Sequence, residues 1–144
     1  MSVLLIVSLS AALPLSAASH VDVVKMRTEN QVNPLGIGTS TPRFSWQITS
    51  DRKGVVQTSY QILVASSREK LDRNEADLWD SGERNSDEQL WIPYQGKALL
   101  SGAQAYWKVR ITTNRGKSEW TEPQLFTIGL LGETKWSGTW IGLE

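Results

Sequence analysis

Cysteine is absent from the 144 residues, and histidine occurs once, as His20. Without a thiol the chain can form no disulfide, no thiolate metal site and no lipid-modified N-terminal cysteine. A single imidazole close to the N-terminus leaves no histidine in the body of the chain. A serine or threonine nucleophile would lack its base there, and a zinc or iron ion would lack its usual nitrogen ligands. Charge of one sign is not in excess: Lys plus Arg and Asp plus Glu number 15 each. That balance predicts no attraction to nucleic acid or to an anionic membrane. No repeat or low-complexity tract breaks the sequence, and no cofactor or metal is expected.

What the chain does have is aromatic bulk. There are seven Trp, hydrophobic residues make up 40% and charged residues 21%. Large rings can fill a small core that would otherwise be short of apolar area. The length suits one domain.

The first residues are of another kind. Val3–Leu15 is almost wholly apolar, and Ser16-Ala17-Ala18 follows with the small-x-small pattern that suits signal peptidase. This reads as a secretory signal over residues 1–18, cleaved near Ala18, although no Lys or Arg precedes the apolar run. The alternative is a buried helix or a membrane anchor, for which the run is short of the roughly 20 residues a span needs. A signal implies export, to the periplasm or beyond, and no membrane attachment after cleavage.

From residue 21 the pattern is that of strands and turns. Val21–Met26 reads as a first strand, and Asn33-Pro34-Leu35-Gly36 is turn chemistry. Arg43–Ile48 alternates, with Phe44, Trp46 and Ile48 on one face. Ser59–Ala65 places Tyr60, Ile62 and Val64 on one side and Leu63 and Ala65 on the other, so it is expected to be central and covered on both faces. Ser66 with Glu69 fits a capping box for one or two helical turns over Arg68–Arg73. Leu78–Gly82 is a short apolar piece ended by a turn. Gln89–Pro93 reads as a strand with Leu90 and Ile92 in phase.

Gln104–Thr127 reads as two strands joined by a tight turn. Ala105, Trp107, Val109 and Ile111 alternate with Tyr106, Lys108, Arg110 and Thr112, and Asn114-Arg115-Gly116 supplies the turn. Leu125 and Ile128 sit in the return segment. The spacing predicts an all-β antiparallel sandwich over residues 19–130. The hairpin resembles the last one of a fibronectin type III or immunoglobulin-like domain, a class of spacers and docking modules. In such sandwiches a tyrosine corner is common. A Tyr in phase with Trp107 would sit at position 105, which is Ala. Either a bulge re-aims Tyr106 or the corner bond is missing.

A more specific resemblance runs from about Val24 to the C-terminus. Its pieces are Asn33-Pro34-Leu35-Gly36-Ile37, Thr41-Pro42-Arg43-Phe44-Ser45-Trp46, Gln57 to Ser66, and Leu78-Trp79-Asp80-Ser81-Gly82. Ser101-Gly102, Tyr106 to Arg110, Ser118-Glu119-Trp120 and Trp136 to Gly142 complete it. Each is weak alone, but in this order and spacing they resemble the N-terminal domain of bacterial α-L-rhamnosidases of glycoside hydrolase family 78. The resemblance implies a large exported enzyme that removes terminal α-L-rhamnose with inversion, using carboxylates of an (α/α)₆ barrel far C-terminal of this region. None of those catalytic residues has a counterpart here, so this chain is expected to be an accessory domain, inactive alone, whose partners are the following domains.

The residues themselves agree on catalysis. An inverting glycosidase sets two carboxyl groups roughly 6.5–9.5 Å apart across a sugar. The densest acidic group here, Asp72, Glu75, Asp77, Asp80, Asp87 and Glu88, stands among Lys70, Arg73 and Arg84 and reads as a solvated loop. Asp72-x-Asn74 lacks the glycine and distal Glu of a calcium loop. Sugar binding has one opening. Trp91 falls out of phase with Leu90 and Ile92, and Tyr94 follows in a turn, so the two are candidates to stack on a glycan. The competing reading is that Trp91 packs against a neighbouring strand or the next domain.

Residues 131–144 are expected to be a linker and the start of a following domain. Trp136, Trp140 and Ile141 lie past the last expected strand and are candidate inter-domain contacts. Either they fold back on the sandwich or they belong to the next domain. The second reading predicts an exposed apolar patch near the C-terminal end of the sandwich.

Overall fold

A computed structural model describes residues 20–132. The expected signal segment over 1–18 and the tail residues Trp136, Trp140 and Ile141 lie outside the described residues.

The order of elements is β1 (Val21–Thr28), β2 (Arg43–Ser50), β3 (Gln57–Ala65), α1 (Arg68–Asp72), β4 (Trp79–Asp80), β5 (Arg84–Asn85), β6 (Ile92–Pro93), β7 (Gln104–Thr113), β8 (Gly116–Lys117) and β9 (Gln124–Thr127). One sheet runs β1-β2-β6. The other runs β4-β3-β7-β8, with β5 also on β3 and β9 on β7. All pairings between named strands are antiparallel. The architecture is the antiparallel sandwich that the alternation predicts, of the immunoglobulin-like class that the resemblance implies.

The core lies between the sheets. It takes Phe44 and Trp46 from β2, Tyr60, Ile62 and Val64 from β3, Ala105, Trp107, Val109 and Ile111 from β7, and Phe126 from β9. Phe44 is its centre, with ring centroids 4.4 Å from Trp107 and 5.8 Å from Phe126. Both large indoles satisfy their N–H inside the core, as burial demands. Trp107 Nε1 donates to Thr28 Oγ1 at 3.0 Å, and Trp46 Nε1 donates to Gln57 Oε1 at 3.0 Å. Gln57 is itself buried, and its Nε2 donates to the carbonyls of Ser86 (3.0 Å) and Glu88 (2.9 Å).

A second, smaller cluster covers the far face of β3 and β7, where Leu63 and Ala65 meet Leu71 of α1, flanked by Tyr106 and Trp120. Lys108 is buried there. Its Nζ donates to the carbonyl of Leu71 and, at 2.7 Å, to Asn74 Oδ1. A cation thus satisfies a helix C-terminal carbonyl. Burial lowers the lysine's pKa, against the opposing pull of Asp72.

Several local readings need correction. The register of β1 on β2 slips by one residue between Val24 and Arg27, with Lys25 at φ 50°. Val21 and Val23 pack on the core before this bulge, and Met26 and Thr28 are buried after it. The strand thereby changes its inward parity and runs on to Thr28. The helix cap is Ser67, whose Oγ accepts from the Lys70 N–H, and not Ser66. The β3–β7 register is unbroken from Ser59↔Thr112 to Ala65↔Tyr106, so no bulge re-aims Tyr106 and it stays on the outer face. The return strand is split. Between β8 and β9 the hydroxyls of Ser118 and Thr121 accept from the N–H groups of Ile111 (3.1 Å) and Val109 (3.0 Å). The N–H groups of Ser118 and Thr121 still donate to Ile111 O (2.9 Å) and Val109 O (3.0 Å), so side chains replace only the acceptor half of the ladder ahead of Pro123, which has no N–H to offer. Phe126 and Ile128 are the inward residues of this segment, and Leu125, opposite Tyr106, is only half-buried.

Candidate functional site

The two ends of the sandwich differ. At one end Val21 pairs with Ser50, Gln57 pairs with Thr113, and His20 O accepts from Ser50 Oγ at 3.0 Å. Here the described chain starts, among the turns Asp51–Gly54 and Asn114–Gly116. Asn114 clamps the two turns: its Oδ1 accepts from Val56 N–H at 3.1 Å and its Nδ2 donates to Gly54 O at 2.9 Å.

At the other end Thr28 pairs with Phe44, Ala65 with Tyr106 and Gln104 with Thr127. The described chain leaves here. Three segments are stitched together at this exit. Ile37 N–H donates to Thr127 O and Gly129 N–H to Ile37 O, both at 2.8 Å. Gly102 N–H donates to Ile128 O at 3.0 Å, and Leu131 N–H to Ser101 Oγ at 2.9 Å. The approach is close: a Cβ on Gly129 would stand 2.9 Å from Gly36 O. Each stitched segment carries a leucine that faces solvent: Leu35 (76% exposed), Leu100 (72%) and Leu130 (63%). Large apolar side chains left out on three adjoining loops form a patch of the kind that marks an interaction surface.

Alignment of these leucines is hard to see in the sequence, because they lie in three loops that are far apart along the chain. A local sign does exist. Pro34-Leu35-Gly36, Leu100-Ser101-Gly102 and Gly129-Leu130 each set a leucine within turn chemistry, where neither strand alternation nor the turn itself requires it.

The two candidate sugar-stacking residues part company. Tyr94 is buried, 4% exposed, with its ring against Trp79 at 5.4 Å. Its hydroxyl donates toward the carbonyls of Lys97 (2.7 Å) and Leu78 (3.3 Å). Burial, aided by the charge of Asp77, pushes the phenol up to about 12. Tyr94 therefore presents no face to a ligand. Trp91 does lie outside, 47% exposed. The expected strand over Gln89–Pro93 shrinks to Ile92–Pro93, because Trp91 has φ 58° and breaks the alternation. As a result Leu90 is exposed and only Ile92 is buried. Trp91 N–H donates to Ser45 Oγ at 3.0 Å, and the Arg43 guanidinium lies 4.2 Å from the ring centroid. Arg43 is in turn gripped by Glu29, through Nε–Oε1 (3.1 Å) and a second nitrogen to Oε2 (2.8 Å). That bond holds the Glu29 carboxyl below its usual range, against a small opposing effect of burial. A shallow depression lined by Glu29, Gln31 and Leu35 runs from this pair toward the leucine patch.

The acidic group gives no acid–base pair. None of Asp72, Glu75, Asp77, Asp80, Asp87 and Glu88 is buried. Glu75 is held below its usual range by the Arg73 guanidinium, with Nε–Oε1 at 2.9 Å. At Asp77 burial alone would raise the pKa. Hydrogen bonds from Lys70 Nζ (2.6 Å), Ser66 Oγ (2.7 Å) and Ser66 N–H (2.9 Å) outweigh it and hold the carboxyl at about 2. A general acid requires the opposite shift. Among the described residues no group of three or more His, Asp or Glu is arranged to hold a metal ion.

The low pKa of Asp77 makes a pH prediction. An unfolded Asp titrates near 3.9, above the folded value, so the folded state binds fewer protons. The stabilisation is complete above about pH 4 and is lost as pH falls through about 2. Urea midpoints measured between pH 5 and 2 should fall less steeply in Asp77→Asn than in the parent chain. Equal slopes would show that the three hydrogen bonds contribute nothing.

A family model described as "Rha78A-like, N-terminal immunoglobulin domain" matches residues 23–132. An α-L-rhamnosidase of Formosa agariphila is 39% identical over 127 residues, which cover 87% of this chain and 13% of that protein. Among solved structures, the Streptomyces avermitilis α-L-rhamnosidase complexed with L-rhamnose superposes with a TM-score of 0.79 at 36% identity, over 87% of this chain and 12% of that one. The α-L-rhamnosidase of Dictyoglumus thermophilum gives 0.77 at 35%, over 85% and 14%. The chain thus spans about an eighth of the length of the relatives it matches.

Proposed function

From the premise that the chain belongs to the family of Rha78A-like N-terminal immunoglobulin domains, we propose that it serves as the non-catalytic N-terminal domain of an exported α-L-rhamnosidase of glycoside hydrolase family 78. The parent enzyme would remove terminal α-L-rhamnose from glycans. This domain's share is mechanical: it buries apolar surface against the domain that follows and helps to hold the catalytic barrel in place.

One observation carries this reading. The solvent-facing leucines Leu35, Leu100 and Leu130 surround the point where the described chain leaves the sandwich. A following domain tethered there is the nearest available cover, and Trp136, Trp140 and Ile141 fall where the connection to it would run. The apolar run Val3–Leu15 with Ser16-Ala17-Ala18 supports export.

Two measurements test it. An antibody against the domain should detect a native polypeptide much larger than 16.1 kDa in the source cells. A native product no larger than 16.1 kDa would overturn the reading. The docking face is tested by grafting residues 20–132 in place of the corresponding domain of the Streptomyces avermitilis enzyme. Relative to that graft, Leu35→Gln, Leu100→Gln and Leu130→Gln together should lower the melting temperature by about 5 °C or more. A triple variant that melts with the unaltered graft would remove the patch from the interface.

A further inference from the structure

We propose that Trp91, backed by Arg43, is a stacking platform for a neutral pyranose, best suited to a deoxyhexose residue such as an α-L-rhamnoside. The proposal stands apart from the docking patch, since it concerns the outer face of the β1-β2-β6 sheet and needs only this chain.

The backbone comes first. A bulky aromatic at φ 58° is a rare conformation that costs of order 1–3 kcal/mol unless the surroundings enforce it. Alternation with the buried Ile92 already points Trp91 outward, and the positive φ interrupts the strand at this residue and leaves Leu90 exposed as well. The Ser45 hydroxyl, buried beside it, takes the Trp91 N–H and fixes the turn. The strained turn thus holds two large apolar side chains, Leu90 and Trp91, at the surface, where neither packs the core.

The ring is also oriented. Arg43 lies over it at 4.2 Å, and Arg43 is itself held by the two-bond grip of Glu29. One face meets the guanidinium and 47% of the residue is exposed, so the indole keeps apolar surface that a ligand can reach. Sugars stack the C–H face of the ring on such surfaces. Glu29 neutralises Arg43, so the platform carries no net charge and favours a neutral sugar over a uronate or a sulfated one. A 6-deoxy sugar exposes a methyl group where others carry a hydroxyl, which increases the apolar area it can lay on the indole. Hydrogen-bonding groups share this outer face: Arg43 is half exposed, and Gln47, on the same face of β2, is exposed.

The test uses the 144-residue chain and methyl α-L-rhamnopyranoside as probe. Proton–nitrogen spectra should show one indole N–H resonance that shifts saturably, with a midpoint on the order of 1–10 mM. That resonance should be absent in Trp91→Asn, which should bind nothing yet keep its fold, because Asn tolerates positive φ. Trp91→Phe should retain binding within about fivefold, and Arg43→Gln should weaken it about fivefold or more. The methyl glycoside of galacturonic acid, with its carboxylate free, should bind at least about fivefold more weakly than the rhamnoside. If Trp91→Asn fails to fold, Arg43→Gln decides: undiminished binding overturns the proposal. So does the absence of any saturable shift at about 100 mM rhamnoside, or an equal response in a folded Trp91→Asn.

Discussion

Trp107→Ala is expected to destabilise the domain by about 3–5 kcal/mol, the range for removing a fully buried tryptophan. The side chain has no exposed surface and stacks on Phe44 at 4.4 Å with the planes 30° apart. Its N–H is the partner of Thr28 Oγ1, a hydroxyl that is itself 1% exposed. The substitution therefore opens a cavity and leaves a buried polar atom unpaired, and the two costs add. Domains of this size have about 5–15 kcal/mol in total, so the urea midpoint should fall by roughly a fifth or more. Trp107→Phe keeps the ring stack but not the hydrogen bond, and should lie between the two. The loss should also be felt at the exit, because Phe44 leads through Phe126 of β9 to Ile128 and the stitched loops. A change below about 1 kcal/mol for Trp107→Ala would mean the core collapses onto the gap and that this ring does not organise the two sheets.

The long strands were legible in the sequence because one physical rule decided them. β2 and β7 set apolar and polar residues at period two over eight or more positions, β3 repeats Tyr60, Ile62 and Val64 at the same period, and the core uses the faces that the pattern assigns. Even the two-sided covering of β3 could be read, from Leu63 and Ala65 opposite Ile62 and Val64.

What stayed hidden depends on single backbone angles or on polar residues inside. The bulge at Lys25 reverses which residues of β1 face inward, and a lysine at φ 50° leaves no mark that separates it from an ordinary strand residue. Trp91 at φ 58° has the same effect on its neighbours. Any residue-type rule would look for Gly or Asn there. Gln57 reads as surface by composition, yet it closes three hydrogen bonds in the core. Its role depends on Trp46 and on the carbonyls of Ser86 and Glu88, which only the folded chain brings together. The same holds for the site. Trp91 could be picked out by its phase, whereas the leucine patch needed the tertiary stitching of loops around residues 36, 101 and 129.

Gly96→Ala should be the most damaging change of one methyl group in the described chain, at about 3 kcal/mol. A Cβ there would stand 2.4 Å from Trp79 Cβ, 2.5 Å from Leu78 O and 2.5 Å from Tyr94 Oη. Two of these neighbours cannot simply rotate away. Leu78 is pinned by its N–H to Val64 O (3.1 Å) and by Lys97 N–H on its carbonyl (3.0 Å), and Trp79 Cβ moves only with its strand. The Tyr94 hydroxyl could retreat only by giving up its bonds to Lys97 O and Leu78 O, which are the reason it can be buried. Overpacking commonly costs about 1–3 kcal/mol, and the broken hydrogen bonds add about 1 more. The comparison is Gly82→Ala, where φ is 62° and no atom lies within 4 Å, so only the backbone preference of about 1 kcal/mol is at stake. Denaturation would rank the two. A second readout separates crowding at Tyr94 from general loosening. The phenol titrates at about 12 because it is buried. An alkaline absorbance titration of folded Gly96→Ala should therefore show its highest tyrosine step moved down toward the ordinary value near 10. A Gly96→Ala chain that matches Gly82→Ala in stability and keeps the step near 12 would mean that the Leu78–Trp79 strand yields freely, and that the tight approach of Gly96 does not fix Tyr94.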